Sequence, residues 1–229
     1  MRRTTSHTEA LLWAQEIAGP INLAQYWIPE IGFRDAIRGD HWVALSRDGE
    51  EIYALALGDG IEIDPTWQSF SLPKSTPRET TSDLSVSGQW AAYYIETAQC
   101  SHHNTVEIIT DGDEIENLLT SSAPNSSVHP GNPEVIFWGG IRNTEGELVA
   151  VGALTQWQSG GFIISSIATH KDFRRQGLGR LLTGGIVRMA HDRGIERVVL
   201  AVFSKNLAAR ALYESIGFEL LGDFNHFER

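Results

Sequence analysis

The 229-residue sequence contains one cysteine, Cys100, so no disulfide can form within the chain, and a reducing compartment suits it. No run approaches the ~20 consecutive apolar residues that a membrane span requires. Arg2 and Arg3 are followed by Glu9 and Glu16, which interrupt the apolar region that a secretory signal needs. These shortages lead us to expect a cytoplasmic protein with no membrane partner. Net positive charge is also missing. A formal charge of -11 argues against a general nucleic-acid binder, because such binding is driven by phosphate neutralisation. Metal-ligand spacing is equally scarce. His102 and His103 are adjacent, without a partner at ligand spacing, and read as a solvated turn, so no metal is expected. Hydrophobic residues make up 41% of the chain and charged residues 21%, which is ordinary for a soluble globular protein of one large domain or two small ones.

The positive charge that is present lies in one place. Between 170 and 213, nine basic residues outnumber three acidic ones, against a strongly acidic remainder. Within this segment, 173–185 reads FRRQGLGRLLTGG, arginines set against glycines ahead of an apolar helical pattern. Gly177 and Gly179 let backbone N–H groups converge on an anion, and the helix start adds unpaired donors and the positive end of its dipole. Arg174, Arg175 and Arg180 supply charge-assisted contacts. The pattern suits a small, highly charged anion such as a phosphate. It is neither a P-loop, which needs four residues between its glycines and then Gly-Lys-Ser/Thr, nor a dinucleotide fingerprint, which needs a third glycine where Leu182 stands.

Periodicity places this segment in an α/β region. Residues 10–18 have helical spacing, 41–46 and 51–57 read as a strand pair, 75–88 as a polar loop, and 90–97 as a further strand. A composition shift near 103 suggests a division into 1–103 and 104–229. In the second part, 106–110 reads as a strand, followed by a helix with Asp111 or Asp113 at its N-cap. After a long loop, 135–141 and 148–154 form a hairpin, and strand 162–169 leads into the Arg/Gly segment. The helix that follows carries Leu178, Leu181, Leu182, Ile186, Met189 and Ala190 at three- and four-residue steps, and Gly194 stops it. Strand 197–203 precedes a helix capped by Asn206 and ended by Gly217, with Ala208, Ala211 and Leu212 expected to face inward. A strand over FELLGDF closes the chain.

Two quoted stretches carry a family resemblance. SIATHKDFRRQGLGRLL and NLAARALYESIGF resemble the two signature motifs of the GNAT superfamily of N-acetyltransferases over roughly 106–229. The first resembles the acyl-CoA loop (Arg174, Arg175, Gln176, Gly177, Leu178, Gly179), and the second the helix bearing Asn206, Ala209, Tyr213, Gly217 and Phe218. The resemblance implies a mixed central sheet flanked by helices, with an additional N-terminal strand-rich region. It implies acetyl-CoA as cosubstrate, its pyrophosphate wrapped by backbone amides of Arg175, Gln176, Gly177, Gly179 and Arg180. Ile167 and Thr169 would pair with the pantetheine arm, the Ile167 amide would face the thioester carbonyl, and Asn206 would contact the arm. Tyr213 would be the catalytic group at the leaving thiolate. The acceptor would be an amine, on a small molecule or a peptide.

Two features depart from the family pattern. Some members place a glutamate on the strand before the loop, but GFIISSIAT holds no carboxylate; Glu134, His129, His226 and Glu228 are the substitutes to be tested. Residues 1–103 exceed what one such domain needs. They read either as a degenerate partner half of a tandem form, since they lack any Arg-x-x-Gly-x-Gly, or as an unrelated cap over the acceptor pocket. A rival function is a non-catalytic acyl-CoA sensor, and the presence of Tyr213 favours the enzyme.

Overall fold

The computed structural model describes residues 1–101 and 106–229; His102 and His103 lie outside the described residues. The N-terminal part runs β1 (Arg2–Thr4), α1 (His7–Ala18), α2 (Ala24–Trp27), β2 (Phe33–Arg38), β3 (Trp42–Arg47), β4 (Tyr53–Gly58), β5 (Ser69–Pro73) and β6 (Val86–Glu96). The C-terminal part runs β7 (Glu107–Ile109), α3 (Gly112–Ser122), β8 (Val135–Arg142), β9 (Leu148–Gln156), β10 (Phe162–Thr169), α4 (Leu178–His191), β11 (Arg197–Phe203), α5 (Leu207–Ile216) and β12 (Glu219–Glu228). The mixed sheet with flanking helices implied by the sequence is present. The strand pair read at 41–46 and 51–57 corresponds to β3 and β4, whereas β1, β2 and β5 had no clear signal in the sequence.

The twelve strands among the described residues form one sheet, in the order β1-β2-β3-β4-β5-β12-β6-β11-β10-β9-β8-β7. Adding six to each of β1–β5 and reversing the order gives β11-β10-β9-β8-β7, the run at the other end of the sheet, with β12 and β6 between the two runs. Pairing types repeat as well: β4·β5 and β10·β11 are parallel, and the other neighbours are antiparallel. The chain is therefore a topological repeat whose final strands are exchanged, β6 lying beside β11 and β12 beside β5. Helices α1 and α3 occupy equivalent places, between the first and second strands of each repeat. Helices α4 and α5 have no α-helical equivalent: the first repeat joins β4 to β5 through residues 59–68 without a helix, and β5 to β6 through a polar segment with only a short 3-10 turn, Arg78–Thr81.

Strand alternation sorts the helices onto two faces. On β9, Ala150 and Leu154 pack with Leu182 and Ile186 of α4, while Val151 and Ala153 pack with Ile115, Leu118 and Leu119 of α3. On β6, Ala91 and Tyr93 join the α4–α5 core, while Ala92 joins Ala10, Trp13 and Ala14 of α1. Helices α4 and α5 thus cover one face, and α1 and α3 the other. Close approach of α4 depends on Gly152, where an added Cβ would lie 3.1 Å from Ile186 Cδ1. Full burial of each such leucine or isoleucine contributes about 1.5–3 kcal/mol. The face of α5 differs from the sequence expectation. Ala208 and Ala211 are exposed, and Ala209, Leu212, Tyr213 and Ile216 turn inward. The Asn206 cap sets that phase, its Oδ1 accepting from Ala209 N–H at 3.1 Å.

Candidate active site

The two strands at the centre of the C-terminal repeat separate soon after they meet. β10 and β11 are in register only at Ile163 and Val199. Beyond that point β10 bulges: its register with β9 jumps from Ser165↔Ala153 to Ala168↔Val151, leaving Ser166 and Ile167 without partners. Ser166 adopts φ 52°, a left-handed conformation that is uncommon outside glycine. Two hydrogen bonds compensate. Ser166 Oγ donates to Val128 O at 2.8 Å and accepts from Val128 N–H at 3.0 Å, tying the bulge to the loop between α3 and β8. Ser166 belongs to no sequence motif; its trace is a polar pair, Ser165 and Ser166, inside an otherwise apolar strand.

The split opens a cavity of about 800 Å³ that reaches both faces of the sheet. Ile167, Thr169, Arg174, Gly179, Asn206 and Tyr213 line it, so six of the residues named from sequence converge there. Arg175, Gln176, Gly177 and Arg180 lie on the exposed turn at the start of α4. Arg175 has φ 62° and Gly177 φ 79°, so the chain turns sharply into the helix. The first α4 amide bonded back is Leu181, to Gly177 O at 3.0 Å, so the amides of Leu178, Gly179 and Arg180 precede the helical ladder. A Cβ built at Gly177 meets nothing within 4 Å, whereas one at Gly179 would approach Leu212 Cδ1 to 3.0 Å. The two glycines therefore have different tasks. Gly177 permits the left-handed turn beside open space, and Gly179 lets α4 pack against α5.

The arginines have structural partners too. Arg174 donates from Nε to Thr169 O at 3.2 Å and from Nη2 to Ser122 O at 3.0 Å, bridging the end of β10 to the end of α3. Arg180 Nη2 donates to Ser215 O at 3.2 Å. Arg193 is elsewhere, donating to Met189 O at 2.9 Å with its guanidinium over Phe137 at 4.6 Å. Arg174→Ala is expected to weaken CoA binding by about tenfold, the scale of one charge-assisted contact, with a smaller effect on acetyl-pantetheine. Arg193→Ala should leave both nearly unchanged. Calorimetric titration of the two ligands checks this, and equal losses from the two variants would point to diffuse electrostatic attraction.

Tyr213 is 7% exposed, between Tyr93 and Phe218 at ring separations of 6.3 and 5.9 Å. Burial pushes its phenol up to about 12. Among the described residues lining the cavity, Arg174 and Tyr213 are the ionisable side chains. The four candidate bases fall outside that lining. His129 is paired with Glu116 at 2.9 Å, which raises its pKa, and its Nε2 contacts Ser126 O at 3.1 Å. His226 contacts Ser71 Oγ at 3.1 Å, with Glu228 3.6 Å away, beside β5. Glu134 lies at the start of the β8 hairpin, where its carbonyl accepts from Gln156 N–H at 2.8 Å. Trp27, Trp90 and Trp157 also line the cavity, and no local sequence pattern had grouped them.

Comparison with known proteins supports the resemblance. Residues 105–218 match the model of the Acetyltransferase (GNAT) family. A [Ribosomal protein bS18]-alanine N-acetyltransferase of Salmonella typhimurium is 37% identical over 78 residues, covering 34% of this chain and 53% of that protein. The chain thus spans about half the length of that curated relative. The uncharacterized N-acetyltransferase YsnE of Bacillus subtilis is 29% identical over 126 residues, 52% of this chain and 82% of YsnE. Among solved structures, a GCN5-related N-acetyltransferase from Sphaerobacter thermophilus aligns with TM-score 0.62 at 13% identity, over 100% of this chain and 95% of that one. Another from Kribbella flavida aligns with TM-score 0.58 at 18% identity, over 96% and 94%. At these identities the two structures are evidence of shared fold.

Proposed function

Residues 105–218 belong to the GNAT acetyltransferase family, and from that premise we propose that the protein transfers the acetyl group of acetyl-CoA to a primary amine. The observation that carries this reading is the cavity between β10 and β11, which leads to the glycine turn and free amides at the start of α4. That turn fits a pyrophosphate: the space beside Gly177 is open, donors precede the helical ladder, and Arg174, Arg175 and Arg180 stand nearby. In this reading Arg175, Gln176, Gly177, Gly179 and Arg180 hold the pyrophosphate through backbone amides. The unpaired bulge of β10 at Ile167, with Thr169, takes the pantetheine arm as an added strand, and Asn206 contacts the arm from α5.

The bookkeeping of the transfer is simple. The amine lone pair forms a bond to the thioester carbonyl carbon, the C–S bond breaks, and its electron pair goes to sulfur. One proton leaves the nitrogen and the thiolate gains one. The Ile167 N–H polarises the carbonyl, and the Tyr213 hydroxyl donates a hydrogen bond to the departing sulfur.

The first repeat supplies no second site in this proposal. It lacks counterparts of α4 and α5, and with them the helix start that forms the turn, so we read 1–103 as a degenerate GNAT half and 104–229 as the active one. No helix among the described residues is long and apolar enough to cross a membrane, and a cytoplasmic location is part of the proposal.

The cavity lining also bears on the acceptor. With Arg174 and Tyr213 as its ionisable side chains, the site favours an amine that gives up its proton easily. An α-amine, with pKa near ~7.8, costs about 1 kcal/mol to deprotonate at pH 7, against about 4–5 kcal/mol for a lysine side chain. The alanine α-amine named for the Salmonella relative is of the cheaper kind. Thiol release from acetyl-CoA, measured against a panel of small amines and peptide N-termini, tests the proposal. CoA binding without thiol release for any amine would favour the sensor. The kcat/KM of accepted amines is expected to rise with pH along a limb that follows each acceptor's own pKa. A limb fixed at one pH for acceptors of different pKa would instead reveal a base on the enzyme.

A further inference from the structure

The cavity has a second end, built by both repeats. Trp27 closes α2, Trp90 lies on β6 and Trp157 follows β9; all three are half-buried and line the cavity. Trp27 stacks on Trp90 at 5.3 Å and 17°, and meets Trp157 edge-on at 5.0 Å and 62°. Phe203 pairs with Trp90 across β11 and β6, so it projects on the same face, and it is 57% exposed. This face is opposite the one covered by α4 and α5. The pantetheine reading places the donor on the α4–α5 side, so the aromatic group lies where an acceptor enters.

The group is held in place by contacts between the repeats. Ser159 Oγ donates to Tyr26 O at 2.7 Å, and a Cβ at Gly161 would lie 2.7 Å from the Tyr26 ring. These contacts fasten α2 to the β9–β10 turn. The Trp90 indole N–H is spent on Ser71 Oγ at 3.3 Å, a hydroxyl that is itself 1% exposed. Trp90 also stacks on Phe224 at 4.8 Å and 22°, so it lines the cavity as part of an aromatic stack that seats Trp27 and keeps its donor elsewhere. Four aromatic side chains, without a carboxylate among the described residues that line the cavity, give a cation no counter-charge. They offer a flat apolar group stacking and edge contacts.

We infer that Trp27, Trp90, Trp157 and Phe203 form the acceptor subsite, and that the acceptor is a primary amine carrying an aromatic ring. The inference rests on the acetyl-transfer reading and names its substrate class. The ring comes either from a free arylalkylamine or from an aromatic first residue of a peptide. In both cases the neutral nitrogen forms the N–C bond while the C–S bond breaks, as above.

The test compares phenethylamine with n-butylamine and a Phe-Gly-Gly amide with an Ala-Gly-Gly amide, so that each pair shares one kind of amine, and adds spermidine as a polycation. Thiol release from acetyl-CoA is read in parallel with tryptophan fluorescence of the CoA-bound protein. At least one aromatic acceptor is expected to exceed its non-aromatic counterpart tenfold or more in kcat/KM, and which one it is identifies the source. Trp27→Ala should remove that preference while the CoA-induced thermal shift stays within its error. Trp27→Leu, which keeps apolar volume, serves if the alanine variant does not fold. Equal efficiency within both pairs, equal efficiency of spermidine and phenethylamine, or an aromatic preference that survives both Trp27 variants, overturns the subsite. If no amine releases thiol, the transfer reading fails. A saturable fluorescence change with either aromatic amine that Trp27→Leu abolishes still supports the subsite, and no such change overturns it.

Discussion

Gly177→Val protein is expected to melt at nearly the same temperature with and without saturating CoA. For the wild-type chain, a ligand at a hundredfold excess over its dissociation constant adds about 2.7 kcal/mol to the folded state. At this chain length that corresponds to a rise of roughly 5–10 °C. Gly177 sits at φ 79°, next to Arg175 at φ 62°, and these two residues direct the chain into α4. An isopropyl group at 177 projects into the space that is open beside the turn, where the proposed function places the pyrophosphate against backbone. The left-handed conformation also costs a side-chain-bearing residue about 1–2 kcal/mol, so the unliganded variant melts several degrees lower. The readout is therefore the ligand-induced difference, not the melting temperature itself. A folded Gly177→Val protein with an undiminished CoA shift would remove this turn from the binding site.

How much of this was legible in the sequence depended on how local its causes are. Helix α5 was readable because its stops are local: Asn206 caps Ala209 N–H, and Gly217 takes φ 111° at the other end. Helix α4 was equally clear from Leu182, Ile186, Met189 and Ala190, all buried. The inward face of α5 was misjudged because alanine is small enough to suit either face, and the cap phase put Ala209 inside rather than Ala208. Strands β1 and β5 are short, and β5 ends at Pro73, so no alternation of useful length marked them. The exchange of β6 and β12 between repeats had no local signature, since it is a pairing between residues more than a hundred positions apart. The same is true of the tryptophans: Trp27, Trp90 and Trp157 are brought together only by that sheet. Ser166 lies between these cases. Its polarity was visible, but its partner Val128 lies across a loop.

The second large effect is expected at Tyr213. Replacing it with phenylalanine keeps the ring between Tyr93 and Phe218 and removes only the hydroxyl, so fold and CoA affinity should be retained. Turnover on the best amine should fall by about 10–10³-fold, the range seen when one donor to developing charge is lost. The phenol's environment decides how it acts. Burial pushes it up to about 12, with no opposing charge to bring it down. Against a thiol near ~8.5, complete proton transfer to the leaving sulfur is then uphill by roughly 5 kcal/mol. In the proposed reading Tyr213 therefore serves as a hydrogen-bond donor to the thiolate, and solvent completes the protonation. This assignment has a signature in pH. A phenol raised to about 12 stays protonated through the accessible alkaline range, so kcat should show no falling limb between pH 8 and about 10 that depends on Tyr213. A falling limb near 8–9 in the wild type that disappears in Tyr213→Phe would mean an ionising acid instead. Wild-type turnover in Tyr213→Phe would remove the residue from the chemistry altogether.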